Sequence, residues 1–172
     1  MKHPRLATIF TSFFLVFALA SSGTAIGQGL SSSEESAIAA EAQQHVEYYY
    51  DLYYERNPEA LSTEVFTVPW FTVGGNGITA RSTYEENLEY FSSAIEGLLS
   101  RGWDKSTFRT KNVCVFGAGS AIVSGTNTRT RADGSVMSVG GVSYILGTTD
   151  DGWRVISFSS HSTDKVVSCD AE

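Results

Sequence analysis

The chain has 172 residues and a formal charge of −7 at pH 7. An acidic balance of this size argues against non-specific binding to nucleic acid or to anionic membrane, since both require a positive surface. The two cysteines and three histidines form no cluster at metal-ligand spacing, so neither a zinc site nor any other cofactor is expected.

Residues 1–25 read as an export signal. Lys2 and Arg5 give a positive start, and Leu6 to Ala20 is mostly apolar. Ala18-Leu19-Ala20 and Gly23-Thr24-Ala25 both fit cleavage after a small-x-small triplet. A membrane anchor fits less well, because the apolar run has 15 residues where about 20 are needed. No cysteine follows the run to take a lipid. The expected location is therefore periplasmic or extracellular. Subtracting Lys2 and Arg5 from 12 basic residues leaves 10 against 19 acids, or −9 for the exported form. What remains, about 150 residues, suits one domain with one core. Residues 26–33 read as a flexible leader, 34–162 as the domain and 163–172 as a tail.

The first helix is predicted from Ser33 to Asn57. Ser33 is the expected N-cap, with Glu34 and Glu35 favouring the helix dipole. Asn57-Pro58 ends it, because a residue before proline avoids helical geometry. On a helical wheel Ala39, Ala42, Val46, Tyr49, Tyr50 and Tyr53 share one face, opposite Gln44, Glu47, Asp51 and Glu55. Glu59–Ser62 suits another short helical turn. Glu64–Thr79 reads as extended structure with a loop at Gly74-Gly75-Asn76-Gly77.

Ser82-Thr83-Tyr84-Glu85 matches a capping box and opens a second long helix. Its apolar stripe is Tyr84, Leu88, Phe91, Ile95 and Leu98, and Arg101-Gly102 closes it. Four strands then follow: Thr107–Phe116, Ala121–Arg131, Val136–Thr148 and Trp153–Ser162. Gly117-Ala118-Gly119-Ser120, Ala132-Asp133-Gly134-Ser135 and Thr149-Asp150-Asp151-Gly152 supply the turns. Strands this long must bend, and Gly125 and Gly140-Gly141 are the expected bend points. On the last strand Arg154, Ile156, Phe158 and Ser160 alternate with Trp153, Val155, Ser157, Ser159 and His161. Both sets carry apolar groups, so both faces of the sheet are expected to be covered. Helices followed by an antiparallel meander give an α+β fold, not an alternating α/β one.

This layout resembles the nuclear transport factor 2-like superfamily, in particular its SnoaL-like and ketosteroid-isomerase-like members. The residues that carry the resemblance are Tyr49-Tyr50-Asp51-Leu52-Tyr53 and Asn57-Pro58-Glu59-Ala60-Leu61. Glu64-Val65-Phe66, Val68-Pro69-Trp70-Phe71, Gly77 leading to Ser82, and Gly152-Trp153-Arg154-Val155-Ile156 continue it. The resemblance implies a cone-shaped curved antiparallel sheet, the four-stranded meander plus short strands, wrapped on the N-terminal helices. It also implies a pocket inside and frequent homodimers made through the sheet.

Members of that superfamily that move protons place a carboxylate on the link after the first helix or on a facing strand. This chain departs from that pattern. No Asp or Glu occurs from Val65 to Tyr84, and the meander strands hold none. His161, among Ser159, Ser160 and Ser162, is the remaining candidate base, though a structural histidine fits the same position. His45 flanks the first helix's apolar stripe and reads as structural. Tyr50, Tyr53 and Tyr54 can present hydroxyls to a ligand, and Trp70 and Tyr144 can line a cavity or fill it. Asn127, Arg129 and Arg131 share one strand face, either as an anion patch or as a solvated edge. Cys114 and Cys169 form the one possible disulfide, provided the tail folds back about 20 Å, within reach at about 3.3 Å per residue.

Three readings of function follow. The first is an exported module whose pocket, lined by Tyr50, Tyr53, Tyr54, Trp70, Asn127, Arg129 and Tyr144, binds a small, largely apolar molecule without catalysis. The second is an isomerase, dehydratase or hydrolase with His161 as base and a tyrosine as electrophile. The third is a structural dimer or partner-binding domain that uses the outer face of the sheet.

Overall fold

The computed structural model describes residues 29–169. The export signal and the start of the leader lie outside the described residues. Helix α1 spans Ser32–Tyr54, followed by the short helix α2, Pro58–Ala60, and a single π-helical turn, Leu61–Val65. Strands β1 (Phe66–Gly74) and β2 (Gly77–Arg81) form a hairpin, and helix α3 (Tyr84–Leu99) follows. Strands β3 (Trp103–Gly117), β4 (Ser120–Arg131), β5 (Val136–Thr149) and β6 (Gly152–His161) complete the chain's elements. The fold is α+β, with one curved sheet of order β2-β1-β6-β5-β4-β3. Every neighbouring pair is antiparallel except β1 with β6. None of the described helices is long and apolar enough to cross a membrane.

The helices start two and one residues away from the positions expected. Ser31, not Ser33, caps α1: its hydroxyl accepts from the Glu34 amide, and the Glu34 carboxylate accepts from the Ser31 amide at 2.9 Å. The reciprocal pair outcompetes Ser33 because it satisfies two orphan donors at once. Thr83 caps α3 by accepting from the Glu86 amide, while the Glu86 carboxylate takes the Ser82 amide at 2.6 Å. At its far end α1 stops at Tyr54, because Arg56 turns left-handed at φ 59°. Asn57 then serves α2, accepting from the Ala60 amide.

Packing follows the helical wheel for α1, whose buried residues are Ala42, Val46, Tyr49, Tyr50, Leu52 and Tyr53. On α3 the stripe narrows to Asn87, Phe91, Ile95 and Leu98. Tyr84 and Leu88, expected inside, sit at the surface, and Asn87 takes the buried place in the helix's first turns. His45 pins α1 to the end of the π turn, its Nε2 donating to the Val65 carbonyl at 3.1 Å.

The bends come from extra residues in the ladders. Register breaks occur in β3 at Thr110/Asn112, opposite Gly125, and between β5 and β6 at Ile145/Leu146. Gly125 is needed because a Cβ there would lie 2.2 Å from the Arg109 carbonyl oxygen and 2.8 Å from the Phe108 ring. Gly140-Gly141, the other expected bend, lies in an unbroken ladder. Gly141 makes room instead for the His161 ring, which a Cβ would meet at 2.3 Å. In β6 the strict alternation fails. Leu146 pairs with Val155 and Ile145 with Ser157, so Ile156 is the inserted residue. Val155 and Phe158 therefore both turn inward to the core.

The tail crosses the outer face of the sheet. The Val167 amide donates to Ser124 Oγ on β4, and Asn112 Nδ2 on β3 donates to the Val167 carbonyl, both at 3.0 Å. Cys169 is bonded to Cys114 with 5.6 Å between their Cα atoms.

Three measurements test this packing. Replacing both cysteines by alanine opens a loop of 55 residues and is expected to lower stability by about 2–4 kcal/mol in denaturant titration. Gly125→Ala is expected to cost roughly 1–3 kcal/mol by the same measurement, because the added carbon overpacks the Phe108 seat. His45 supplies a pH test. Burial, first, and the Arg154 charge hold its imidazole below the ordinary 6.5, against the Val65 hydrogen bond. Below pH 6.5 the unfolded chain protonates His45 and the folded chain resists. Stability is thus full above that pH and falls as pH drops through the lowered value. His45→Gln is expected to flatten that slope in thermal melts. Glu34, Asp133 and Asp164, held low chiefly by serine hydrogen bonds, act only in the carboxylate range below.

Candidate functional site

The concave face of the sheet is filled by rings. Phe108 stacks on Tyr50 at 5.2 Å between centroids, and Tyr49 meets Tyr50, Tyr53, Phe66 and Tyr144 edge-on. Trp70 stacks on Phe91 at 5.8 Å and packs against Phe66 and Phe158. Tyr50 and Tyr144, predicted to face a ligand, satisfy each other through a 2.8 Å hydroxyl contact. Burial pushes the phenols of Tyr49, Tyr50, Tyr53 and Tyr144 up, so none is a ready proton donor to water. Trp70 is fully buried and its indole N–H donates to Asn87 Oδ1. Tyr54 departs from the expectation: it is 53% exposed, outside the hollow, with Lys105 Nζ 5.5 Å from its ring.

Between β4, β5 and the end of β6 a cavity of about 130 Å³ is lined by Asn127, Arg129, Ser138, Val139, Gly140, Gly141, Val142, Ser160 and His161. A more open cleft of about 410 Å³ between α1 and β3 is lined in part by Tyr50, Tyr54 and Phe108. Asn127 and Arg129 point inward, opposite Gly140 and Ser138 on β5. Arg131, which shares their strand face by simple alternation, is exposed instead, because the β4–β5 register breaks after Arg129. The Arg129 charge opposes the burial that raises the Tyr49, Tyr50, Tyr53, Tyr90 and Tyr144 phenols.

Residues missed in the sequence complete the mouth. Arg81, the last residue of β2, lays its guanidinium 3.7 Å from the Tyr90 ring centroid and 4.6 Å from that of Trp70. Tyr90 on α3 feels the charges of both Arg81 and Arg129. The signal for Asn87 was available: a polar residue four positions before Phe91, on the buried stripe. Arg81 carried no such periodic mark.

Four polar atoms in this region are buried and lack a hydrogen-bond partner among the described residues: Arg81 Nη1, Asn87 Nδ2, Asn127 Oδ1 and Arg129 Nε. The acid nearest in effect to Arg81 is Glu86, whose carboxylate is engaged by the Ser82 amide at the rim. The larger cleft on the far side, about 480 Å³, is different. Its Trp153 indole donates to Glu41, Tyr48 to Glu64, His45 to Val65, and Arg154 to the carbonyls of Asp151 and Trp153. Those groups already have partners; the groups at the mouth do not. Unsatisfied buried polar atoms are rare in folded proteins, which makes the mouth the better candidate.

The His161 Nδ1 donates to the Ser162 carbonyl at 2.8 Å, so Nε2 accepts from the Ser143 hydroxyl at 2.9 Å. Ser143 in turn accepts from Ser124 at 2.6 Å, and Ser124 accepts from the Val167 amide. The chain of hydrogen bonds runs from the tail to His161, which also borders the cavity. Among the described residues no group of three or more His, Cys, Asp or Glu side chains is placed to hold a metal ion.

Comparison with known proteins fits this architecture. No curated protein matches the chain. An NTF2-like protein from Shewanella oneidensis has a TM-score of 0.58 at 16% identity, over 72% of this chain and 98% of that one. A ketosteroid isomerase-like protein from Erwinia carotovora atroseptica has a TM-score of 0.53 at 17% identity, over 76% and 96%. An NTF2-like protein with a cystatin-like fold from Novosphingobium aromaticivorans has a TM-score of 0.59 at 14% identity, over 77% and 86%. At these identities the likeness speaks for the fold alone. The family model described as NTF2-like protein (DUF6841) matches residues 40–163, from the middle of α1 to just past β6, and the chain belongs to that NTF2-like family.

Proposed function

We propose that this chain is an exported binding module that holds a small, largely apolar molecule at the mouth of its cone without catalysing a reaction. The observation that carries the reading is a cavity lined by Val139, Val142 and two glycines together with Asn127 and Arg129, each of which holds a buried polar atom without a partner among the described residues. A pocket with an apolar wall and a few convergent polar groups is the usual form of a small-molecule site. The absence of catalysis rests on the engagement of the candidate bases. His161 borders the cavity, but both its ring nitrogens are taken, by Ser143 and Ser162, and His45 is bonded to Val65. One structural neighbour is called ketosteroid isomerase-like, but a proton-abstracting enzyme needs a base within hydrogen-bond reach of its substrate. Export is supported by the N-terminal pattern and by the Cys114–Cys169 bond, which suits an oxidising compartment.

Gly140 offers the sharpest test. A Cβ there meets nothing nearer than the His161 carbonyl oxygen at 3.9 Å, so a larger side chain enters the cavity without backbone strain. In a thermal-shift screen of small apolar compounds, a ligand at a hundred times its Kd is expected to stabilise the wild type by about 2.7 kcal/mol. Gly140→Leu is expected to keep the fold and lose that shift. A screen in which no compound stabilises the wild type, or in which Gly140→Leu responds equally, removes the proposal. For export, intact protein recovered outside the cytoplasm is expected to begin after Ala20 or Ala25 and to gain two hydrogens on reduction, as read by mass spectrometry.

A further inference from the structure

Arg129 puts a positive charge on a cavity that no Asp or Glu lines, and Arg81 holds a second against the Tyr90 and Trp70 rings, with Glu86 as the acid that acts on it. Arg129 has its Nε buried and partnerless. Arg81 lies against the Tyr90 and Trp70 rings, which steady its charge by cation–π attraction but leave Nη1 unsatisfied. A buried N–H without an acceptor is costly, and a fold keeps one chiefly where something else completes it. Asn127 stands two residues before Arg129 on the same face, and a half-turn of its amide exchanges acceptor for donor toward the cavity.

We propose, resting on the reading of the mouth as a binding site, that its ligand is a carboxylate: a small monoanion with an apolar body, its acid group taken by Arg129, with Arg81 across Tyr90 as a second positive charge. The guanidinium fork matches the planar carboxylate. Phosphate is a poorer match. It would need more donors than two guanidiniums present, one of them stacked on rings. The nearest helix start, that of α3, already has its Glu86 carboxylate on the Ser82 amide. The cavity's volume of about 130 Å³ limits the apolar body to a single ring or a short branched chain.

The test uses the full-length chain and isothermal titration with benzoate and phenylacetate, their neutral amides, and inorganic phosphate. The acids are expected to bind the wild type roughly tenfold or more tightly than the amides. Arg129→Met is expected to erase that preference, and Arg129→Lys to retain part of it. The ligand-free Arg129→Met protein is expected to melt no lower than the wild type, since it has lost a buried N–H that had no partner; a merely structural arginine would give the opposite. Amides binding as well as acids, or phosphate binding as well as either acid, overturns the carboxylate assignment and leaves the binding site standing. If neither acids nor amides bind, both fall.

Discussion

Phe108 can lie flat on Tyr50 only because Gly125 has no side chain. With a Cβ at that position the ring would be displaced and α1 would lose its seat in the sheet. From this contact the rest of the interior follows. Tyr50 is brought to Tyr144, Tyr49 reaches Phe66, and Phe66 continues the column to Trp70 and Phe91. Close-packed rings leave little free volume where they meet. The hollow expected of a cone-shaped sheet is therefore filled where these rings meet, and a small cavity remains beside Gly140 and Arg129.

The order of the chain explains how Arg81 comes to this end. β2 is the edge strand, and α3 begins three residues after it. The Thr83 cap fixes where the helix starts, so it also fixes where β2 stops. Arg81 is left between the strand edge and the first turns of α3, where Tyr90 and Trp70 are the surfaces available to it. Each such contact is worth about 0.5–2 kcal/mol, enough to orient the guanidinium but short of what an ion pair with a guest would add inside an apolar wall.

The helices and the meander were legible because their signals are local. The apolar spacing of α1 and the Asp-Gly turn at Asp133-Gly134 depend on neighbours in sequence alone. The site was legible only in part, because facing in a sheet depends on register, and register is broken by inserted residues. Alternation places Asn127, Arg129 and Arg131 together; a break after Arg129 separates the third from the first two. Alternation likewise separates Val155 from Phe158, and the insertion of Ile156 reunites them. His161 illustrates a different limit. Its neighbours in sequence are serines, but its partners, Ser143 and the space over Gly141, belong to another strand. The fold-back that brings Val167 to Ser124 is likewise decided by contacts formed only after the sheet is built.

The electrostatics of the mouth also bear on why binding is the better reading than turnover. Two guanidiniums beside a cavity that no acid lines create a field that favours negative charge there. A ligand that arrives already ionised receives that stabilisation in full before any reaction, and stabilisation shared equally by ground and transition states tightens binding without raising turnover. The same field works against a proton-abstracting carboxylate. Such a base is tuned by raising its pKa toward neutrality, whereas a carboxylate beside Arg129 and Arg81 would be held down as the weaker base. The phenols offer no substitute, since burial pushes their ionisation up rather than down. A hollow of this kind lowers the energy of an anion and leaves its protons where they are.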